Sequence, residues 1–580
     1  MLRCALHDPL KPYHSNTTTT QTTAPMASTD QPQNLTVATV NGVKWTMTAT
    51  IVNSVLQVGY TAVMARLLSP AAFGLVALAG VILRFGVYFA KMGMERAIIQ
   101  KPDLTERDVR AAFTSSVVLG VFFAGLLVAG APLAATIVHQ PEVVPVVRAL
   151  ALGILFSGLN GTAMSLLHRT MRFRSLAIFE MASFLVSYLG LGMVLAWQGF
   201  GVWALVSATL GQGLIMSVLA YGAVRHTLRP LFSWEAYKPL LAYGSRMSAI
   251  SFVEFVTQSL DTLLIGRLLG PAALGIYTRG GLLIGLPVYL LSSNVAKVVF
   301  PSFSQVQADR ARLREVYLSS ITLVAMLITP VCAGAAVAAP EIVRVMLGEK
   351  WMAAVPILRV ISVTYVLSAI TMFAGVVCDA TAALSRKLLL TLVSLAVLTV
   401  LLYGGSKFGL VGVAWAMVGC ELLRTALYSN LMRRELGAAP FAVLGAYGPG
   451  VLAGGMAAAA IAAVRLGLLG LHAPALAVLI AEVLTGAVVV AGLVLVRPPV
   501  QLRTVMRSLL ARLSGGPHAP APTRLIPRLL HAMAARLARQ AGDAPATVPA
   551  PTTALAIELA AETPAEPQPT HFSTAETELA

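Results

Sequence analysis

Arg66-Leu67-Leu68-Ser69-Pro70-Ala71-Ala72-Phe73-Gly74 returns about 200 residues later as Arg267-Leu268-Leu269-Gly270-Pro271-Ala272-Ala273-Leu274-Gly275. The likeness runs backwards into the apolar segment that precedes each copy. Gln57 falls on Gln258, Asn53 on Glu254 and Tyr60 on Asp261, and, one residue out of register, Gly42-Val43-Lys44 meets Gly244-Ser245-Arg246. Self-similarity at this spacing reads as two copies of one bundle. The phrase itself is architectural: its proline ends a helix turn and its last glycine permits a close corner.

Composition says in what solvent that bundle lives. Hydrophobic residues make up 57% of the 580 residues and charged residues 12%, and mean hydropathy is +0.78. A soluble domain carries roughly 25% charged residues, so this is an integral membrane protein. Its apolar segments match the hydrocarbon thickness for α-helices and are too long for barrel strands. The net charge of +17 does not point to nucleic acid. The basic residues sit in short connections, with no basic domain and no stacking aromatics. Cys4, Cys332, Cys378 and Cys420 make no metal-ligand or redox spacing, and no metal or cofactor is expected. The first 40 or so residues, with the Thr-rich run Asn16–Thr23, read as a disordered tail without a signal peptide, and Met26 offers an alternative start.

Apolar runs against polar breaks give about fourteen candidate spans. Six lie over 43–65, 72–92, 112–137, 144–167, 176–197 and 201–223. Six more lie over 245–265, 280–300, 316–338, 353–377, 388–404 and 410–431. Two extra ones, near 444–464 and 474–496, have no counterpart in the repeat. Loop charge tests this division. Every second connection is basic: Arg96, Lys101, Arg107, Arg110; then Arg169, Arg172, Arg174; Arg225, Arg229, Lys238; Arg310, Arg312, Arg314; Arg386, Lys387; Arg433, Arg434. The other connections hold isolated cations such as Arg66, Arg148, Arg267, Lys350, Lys407 and Arg465. The bias puts both termini and the basic loops in the cytoplasm. Two halves that each begin inside are parallel repeats about an axis along the membrane normal, the organisation of an alternating-access transporter. The expected domains are a tail (1–40), six-helix bundles at 41–225 and 240–435, two further helices at 440–497, a basic amphipathic segment at 498–540 and a disordered tail at 541–580. In the amphipathic segment Leu525, Ile526, Leu529, Leu530, Met533 and Leu537 recur at helical spacing with Arg524, Arg528, Arg536 and Arg539 between them, as in a helix lying on an anionic leaflet.

Ionisable residues inside spans are the functional candidates, because each is costly in hydrocarbon unless it faces a cavity or a partner. Lys44, Arg84, Arg246 and Lys297 would attract a phosphate-bearing headgroup, arginine in bidentate fashion. Glu254, Gln258 and Asp261 share one helical face, and Asn53 and Gln57 make the same stripe on the first span. The two carboxylates are candidates for coupling to protons or a cation. Lys44, Arg246, Glu180 and Lys297 have an alternative reading as anchors snorkelling to the interface. Asp379 and Glu421 read as structural partners of Arg386 and Arg424. No nucleotide-binding loop, metalloprotease helix or nucleophile elbow is present, and external connections are short, so neither ATP hydrolysis nor an enzyme is expected.

The opening phrase resembles the multidrug/oligosaccharidyl-lipid/polysaccharide exporter superfamily, and within it bacterial polysaccharide flippases of the colanic-acid and lipopolysaccharide exporter type. Glu95-Arg96-Ala97-Ile98-Ile99-Gln100, Leu167-His168-Arg169-Thr170-Met171-Arg172-Phe173 and Gly199-Phe200-Gly201-Val202-Trp203-Ala204-Leu205-Val206 strengthen the likeness. The resemblance implies a V-shaped pair of six-helix lobes in the bacterial inner membrane. It implies a cargo of undecaprenyl-pyrophosphate-linked oligosaccharide, delivered to a polysaccharide polymerase or export machinery. Membrane lipids are the other partner. A drug/cation antiporter of the same superfamily is the runner-up and would need carboxylates concentrated in the cleft. A non-transporting scaffold would have no use for polar stripes in both halves.

Overall fold

A computed structural model describes residues 35–496 apart from 92–97, 100, 102, 232–233, 307–308, 382–383, 438 and 440. The amphipathic segment at 498–540 and the tail at 541–580 lie outside the described residues, as does 1–34 of the N-terminal tail. Among the described residues the regular structure is helical, with no strand. That is the outcome hydrocarbon demands of a chain without a closed barrel, since a helix satisfies its own backbone.

The helices follow in order: α1 (Leu35–Leu67), α2 (Pro70–Lys91), α3 (Glu106–Val138), α4 (Val143–Leu150), α5 (Leu152–Arg169), α6 (Phe173–Trp197), α7 (Val202–Val224) and α8 (Trp234–Gln305). Then come α9 (Arg310–Val337), α10 (Ala339–Met346), α11 (Ala354–Ala380), α12 (Leu384–Ser406), α13 (Gly409–Leu436), α14 (Ala442–Gly470) and α15 (Ala475–Val496). Twelve stretches among the described residues are long and apolar enough to cross a membrane. The protein is therefore a multi-pass membrane protein. The first helix is not one of the twelve, because Thr50, Asn53, Ser54 and Gln57 dilute its apolar run.

Three details differ from the sequence reading. Helix α1 starts at Leu35, inside the stretch read as tail. The connection between spans 245–265 and 280–300 is a kink in place of a longer loop: α8 consists of two helices that meet at Gly270 (φ 86°, ψ 173°), and Pro271 starts the second. The connection between spans 316–338 and 353–377 contains helix α10 and a 3₁₀ turn, Glu349–Trp351, introduced by Gly348 at φ 98°.

The two copies of the repeated phrase solve the same corner in different ways. In the first, α1 ends, the Ser69 hydroxyl accepts from the Ala72 N–H at 3.4 Å, and Pro70 opens α2. Proline suits a first helical turn, where its missing donor has no partner to lose. In the second, glycine supplies at position 270 a backbone conformation that serine would adopt only under strain.

The copies then pack on each other. A Cβ at Gly74 would fall on the Pro271 carbonyl, and a Cβ at Gly275 would fall on the Pro70 carbonyl. Each glycine thus admits the other copy's proline, which is what lets α2 and α8 cross in close contact. Gly74→Ala and Gly275→Ala should each cost about 1–3 kcal/mol by overpacking. Gly80→Ala, on the same α2 but facing open space, should be neutral or up to about 1 kcal/mol stabilising. Thermal unfolding of the three purified variants checks this; equal midpoints would contradict the crossing.

Candidate functional site

The seam built on that crossing is a mixed apolar and polar contact. Tyr60, Met64, Leu68 and Phe73 from the α1–α2 corner are buried together with Val343, Leu347, Trp351 and Leu358 from the second half. Phe73 and Trp351 meet edge to face, with centroids 5.5 Å apart. Arg279 lies with its guanidinium 4.8 Å from the Phe73 ring centre, a cation–π contact. The Arg279 Nε and the Tyr60 hydroxyl are buried without a hydrogen-bond partner among the described residues.

Polar bonds close the rim in reciprocal fashion. Arg66, which opens the first phrase, donates to the Val345 carbonyl at 2.8 Å. Its counterpart Arg267 donates to the Ile137 carbonyl at 2.7 Å. Each arginine therefore reaches the neighbourhood of the connection between third and fourth spans in the other half. One element has no mirror image. Lys350 Nζ donates to the carbonyls of Arg66 and Leu68, both at 2.8 Å, and Trp351 Nε1 donates to that of Ala65 at 2.8 Å. Burial against the corner holds the Lys350 ammonium below the usual lysine pKa. The 3₁₀ turn thus caps the carbonyls that α1 leaves open at its end, groups that would otherwise lack partners.

A second feature lies within the first half. A cavity of about 480 Å³ opens between α1, α5, α6 and α7, with Thr50, Asn160, His168, Glu180, Thr209 and Gln212 in its wall. Helix α6 carries a π-helical stretch at Leu185–Gly192 beside it, a distortion often found at functional sites. Tyr188 in that stretch stacks on Phe184 at 4.7 Å and meets Tyr60 edge-on at 5.0 Å. Aromatic packing thus ties the cavity's wall to the seam.

The sequence candidates are placed unevenly. The side chains of Lys44, Arg246, Glu254 and Lys297 lie outside the described residues; their positions fall on α1 and α8. Glu180 stands in the cavity wall. Arg84 is exposed on α2 and holds no partner among the described residues. Asn53 is half-buried with its Oδ1 unpartnered, and Gln57 and Gln258 are exposed. Asp261 is engaged: the Tyr277 hydroxyl donates to Oδ2 at 2.9 Å and the Thr262 N–H to Oδ1 at 2.6 Å. Glu421 accepts from Arg424 at 2.9 Å and from Thr371 at 2.7 Å, as read from sequence for the arginine. Asp379 is a correction. It pairs with Lys387 at 2.7 Å and not with Arg386, which pairs with Glu435. On this helix end, α12 turns Lys387 back towards α11 and Arg386 towards α13.

Sequence reasoning missed Arg279, Trp351 and the carboxylates Glu341 and Glu482. Glu482 had a signal: it is the one charge in α15, an otherwise apolar helix of 22 residues. Arg465 and Lys350 read as isolated loop cations in the sequence, since their partners are distant along the chain.

Comparison with known proteins agrees with this architecture. A family model described as "Polysaccharide biosynthesis protein" matches residues 63–356, a stretch that holds both phrases and the Glu349–Trp351 turn. The chain is similar to the teichuronic acid biosynthesis protein TuaB of Bacillus subtilis (strain 168), 27% identical over 333 residues, 57% of this chain and 68% of that one. It is also similar to the lipopolysaccharide biosynthesis protein WzxC of Escherichia coli (strain K12), 22% identical over 415 residues, 69% of this chain and 82% of that one. Among solved structures it shares the fold of the lipid II flippase MurJ in an inward closed conformation. The TM-score is 0.62 at 13% identity, covering 81% of this chain and all of that one.

The seam makes a graded prediction. Trp351→Phe, which keeps a ring and removes the donor to Ala65, should cost about 1–3 kcal/mol. Trp351→Ala should cost about 3–5 kcal/mol. Thermal unfolding of the two variants measures the difference, and equal small losses would show that Trp351 does not hold the corner.

Proposed function

We propose that this chain, which belongs to the polysaccharide biosynthesis protein family, flips a lipid-linked oligosaccharide across the bacterial inner membrane. The carrier is undecaprenyl pyrophosphate and the product feeds exopolysaccharide, capsule or O-antigen assembly. The observation that carries this reading is the family match over residues 63–356, which spans the two phrases and their seam.

The physical need is plain. A diphosphate with several sugars cannot cross hydrocarbon unaided, since each unpaired polar group costs several kcal/mol there. The lipid tail never has to leave the bilayer. A V-shaped cleft between the six-helix halves 41–225 and 240–435 takes the headgroup while the tail trails outside. Rocking of one half against the other then exposes the cleft to either side. Lys44, Arg84, Arg246 and Lys297 gather the diphosphate. The Arg84 guanidinium, exposed and without a partner among the described residues, supports that role. Asn53, Gln57, Glu254, Gln258 and Asp261 line the path with polar groups, and the two carboxylates are available for coupling. The basic loops and both termini face the cytoplasm. The phrases then lie at the external corner, and a seam closed there corresponds to a cleft open to the inside. A polysaccharide polymerase or export complex takes over the product.

In a strain lacking this protein and any redundant flippase, lipid-linked oligosaccharide should accumulate on the cytoplasmic leaflet and be relieved by the wild-type gene. Arg84→Ala and Asp261→Asn should fail to relieve it while their protein levels stay unchanged. Normal sidedness without the protein would overturn the function. Full relief by both variants would overturn the site.

A further inference from the structure

Helix α10 is held at both ends by unlike partners. At its far end it offers the Val345 carbonyl to Arg66 and leads into the Lys350–Trp351 turn that grips the seam. In its first turn it carries Glu341, whose side chain enters a buried cluster with the two helices that have no counterpart in the repeat. Arg465 of α14 donates from Nε to Glu341 Oε1 at 3.0 Å and stands 3.8 Å from Glu482 Oε1 of α15.

The cluster does not balance. Glu341 is 2% exposed and Glu482 1%, and one guanidinium serves two carboxyl groups. Glu341 Oε2 and both oxygens of Glu482 are buried with no hydrogen-bond donor among the described residues. The other charged groups on the packed elements do not supply the missing charge. Arg344 is bonded to Glu349 at 2.6 Å, and Arg359 of α11 donates to the Ala336 carbonyl at 3.3 Å. On α9 the charged residues Arg310, Arg312, Arg314 and Glu315 stand in the first turns, at the opposite end from this cluster. Glu482 is about 10 Å along α15 from its start, deep enough that water is a poor counterweight. Two buried carboxylates that share a single guanidinium leave one negative charge uncompensated, which a monovalent cation would balance.

We propose that Glu341, Arg465 and Glu482 form a binding site for one monovalent cation, a proton or Na⁺, whose occupancy sets how firmly α10 grips the seam. A proton on one carboxyl removes the excess charge, and Na⁺ would be held by the free oxygens. With the site filled, Glu341 stays docked and α10 presents Val345 and the Lys350–Trp351 turn to the α1–α2 corner. With it empty, repulsion between Glu341 and Glu482 pushes on the first turn of α10. The two extra helices, α14 and α15, thereby brace the seam and tune it. The site itself does not depend on the identity of the transported molecule.

The test uses the purified full chain in lipid nanodiscs, with thermal midpoints taken from pH 5.5 to 8.5 in choline chloride and in NaCl. For a proton site, the wild-type midpoint falls as pH rises and that of Glu482→Gln stays flat. For a Na⁺ site, NaCl raises the wild-type midpoint at pH 8.5 and leaves Glu482→Gln unmoved. Glu341→Gln, which leaves Arg465 a single carboxylate partner, provides the same comparison should Glu482→Gln not fold. With a water-soluble maleimide on Leu68→Cys, buried under the seam, the labelling rate relative to that of Leu68→Cys with Glu482→Gln, compared at each pH and in each salt, should rise several-fold when the site is empty. Parallel pH and Na⁺ dependence in wild type and variants would overturn the site. Altered midpoints with unchanged labelling would overturn its link to the seam.

Discussion

The structure depends on one steric exchange, in which Gly74 makes room for the Pro271 carbonyl and Gly275 for that of Pro70. In hydrocarbon, burial of apolar surface gives helices little reason to associate, so close backbone approach through small residues has to supply the contact. Placing that approach inside a duplicated phrase makes it self-complementary. One short sequence meets its own copy, and the two arginines that open the copies reach across in the same sense. The apolar cluster around Trp351 and the carbonyl caps from Lys350 then close over a crossing that the glycines have already allowed.

The departures from symmetry are as informative as the symmetry. Where the first half has Leu78 the second has Arg279, and that guanidinium sits on Phe73 in the seam. Where the first half has Tyr60, whose buried hydroxyl has no partner among the described residues, the second has Asp261, bonded to Tyr277. The 3₁₀ turn at Glu349–Trp351 has no equivalent among the described residues of the first half, and the helix leading to it is tied through Glu341 to the extra helices.

Much of this is legible in the chain itself. Hydropathy points to a helical membrane protein, and the final glycine of the repeated phrase announces a close corner. What the phrase cannot announce is its partner: nothing in a linear sequence says that Gly74 meets Pro271 and not some third element. The same gap hides the Arg465 cluster, in which Arg465 and Glu341 are separated by more than a hundred residues. It also misdirects the Asp379 pairing, since Arg386 and Lys387 are adjacent and only the turn into α12 decides which faces back. For the polar stripe, Asp261 is bonded while Gln57 and Gln258 are exposed. A helical face can be read from spacing, whereas what that face meets cannot.

The most direct test is to stop the seam from parting. Ser69→Cys and Lys350→Cys place thiols on opposite sides of it, where Lys350 now contacts Leu68, and the described native cysteines Cys332, Cys378 and Cys420 are buried. A short, reducible bismaleimide applied to cells carrying both substitutions should halt polysaccharide export, and reductant should restore it. Each single substitution should export at the same level with and without reagent. Unimpaired export with the two positions fully cross-linked would contradict a transport cycle in which this seam opens.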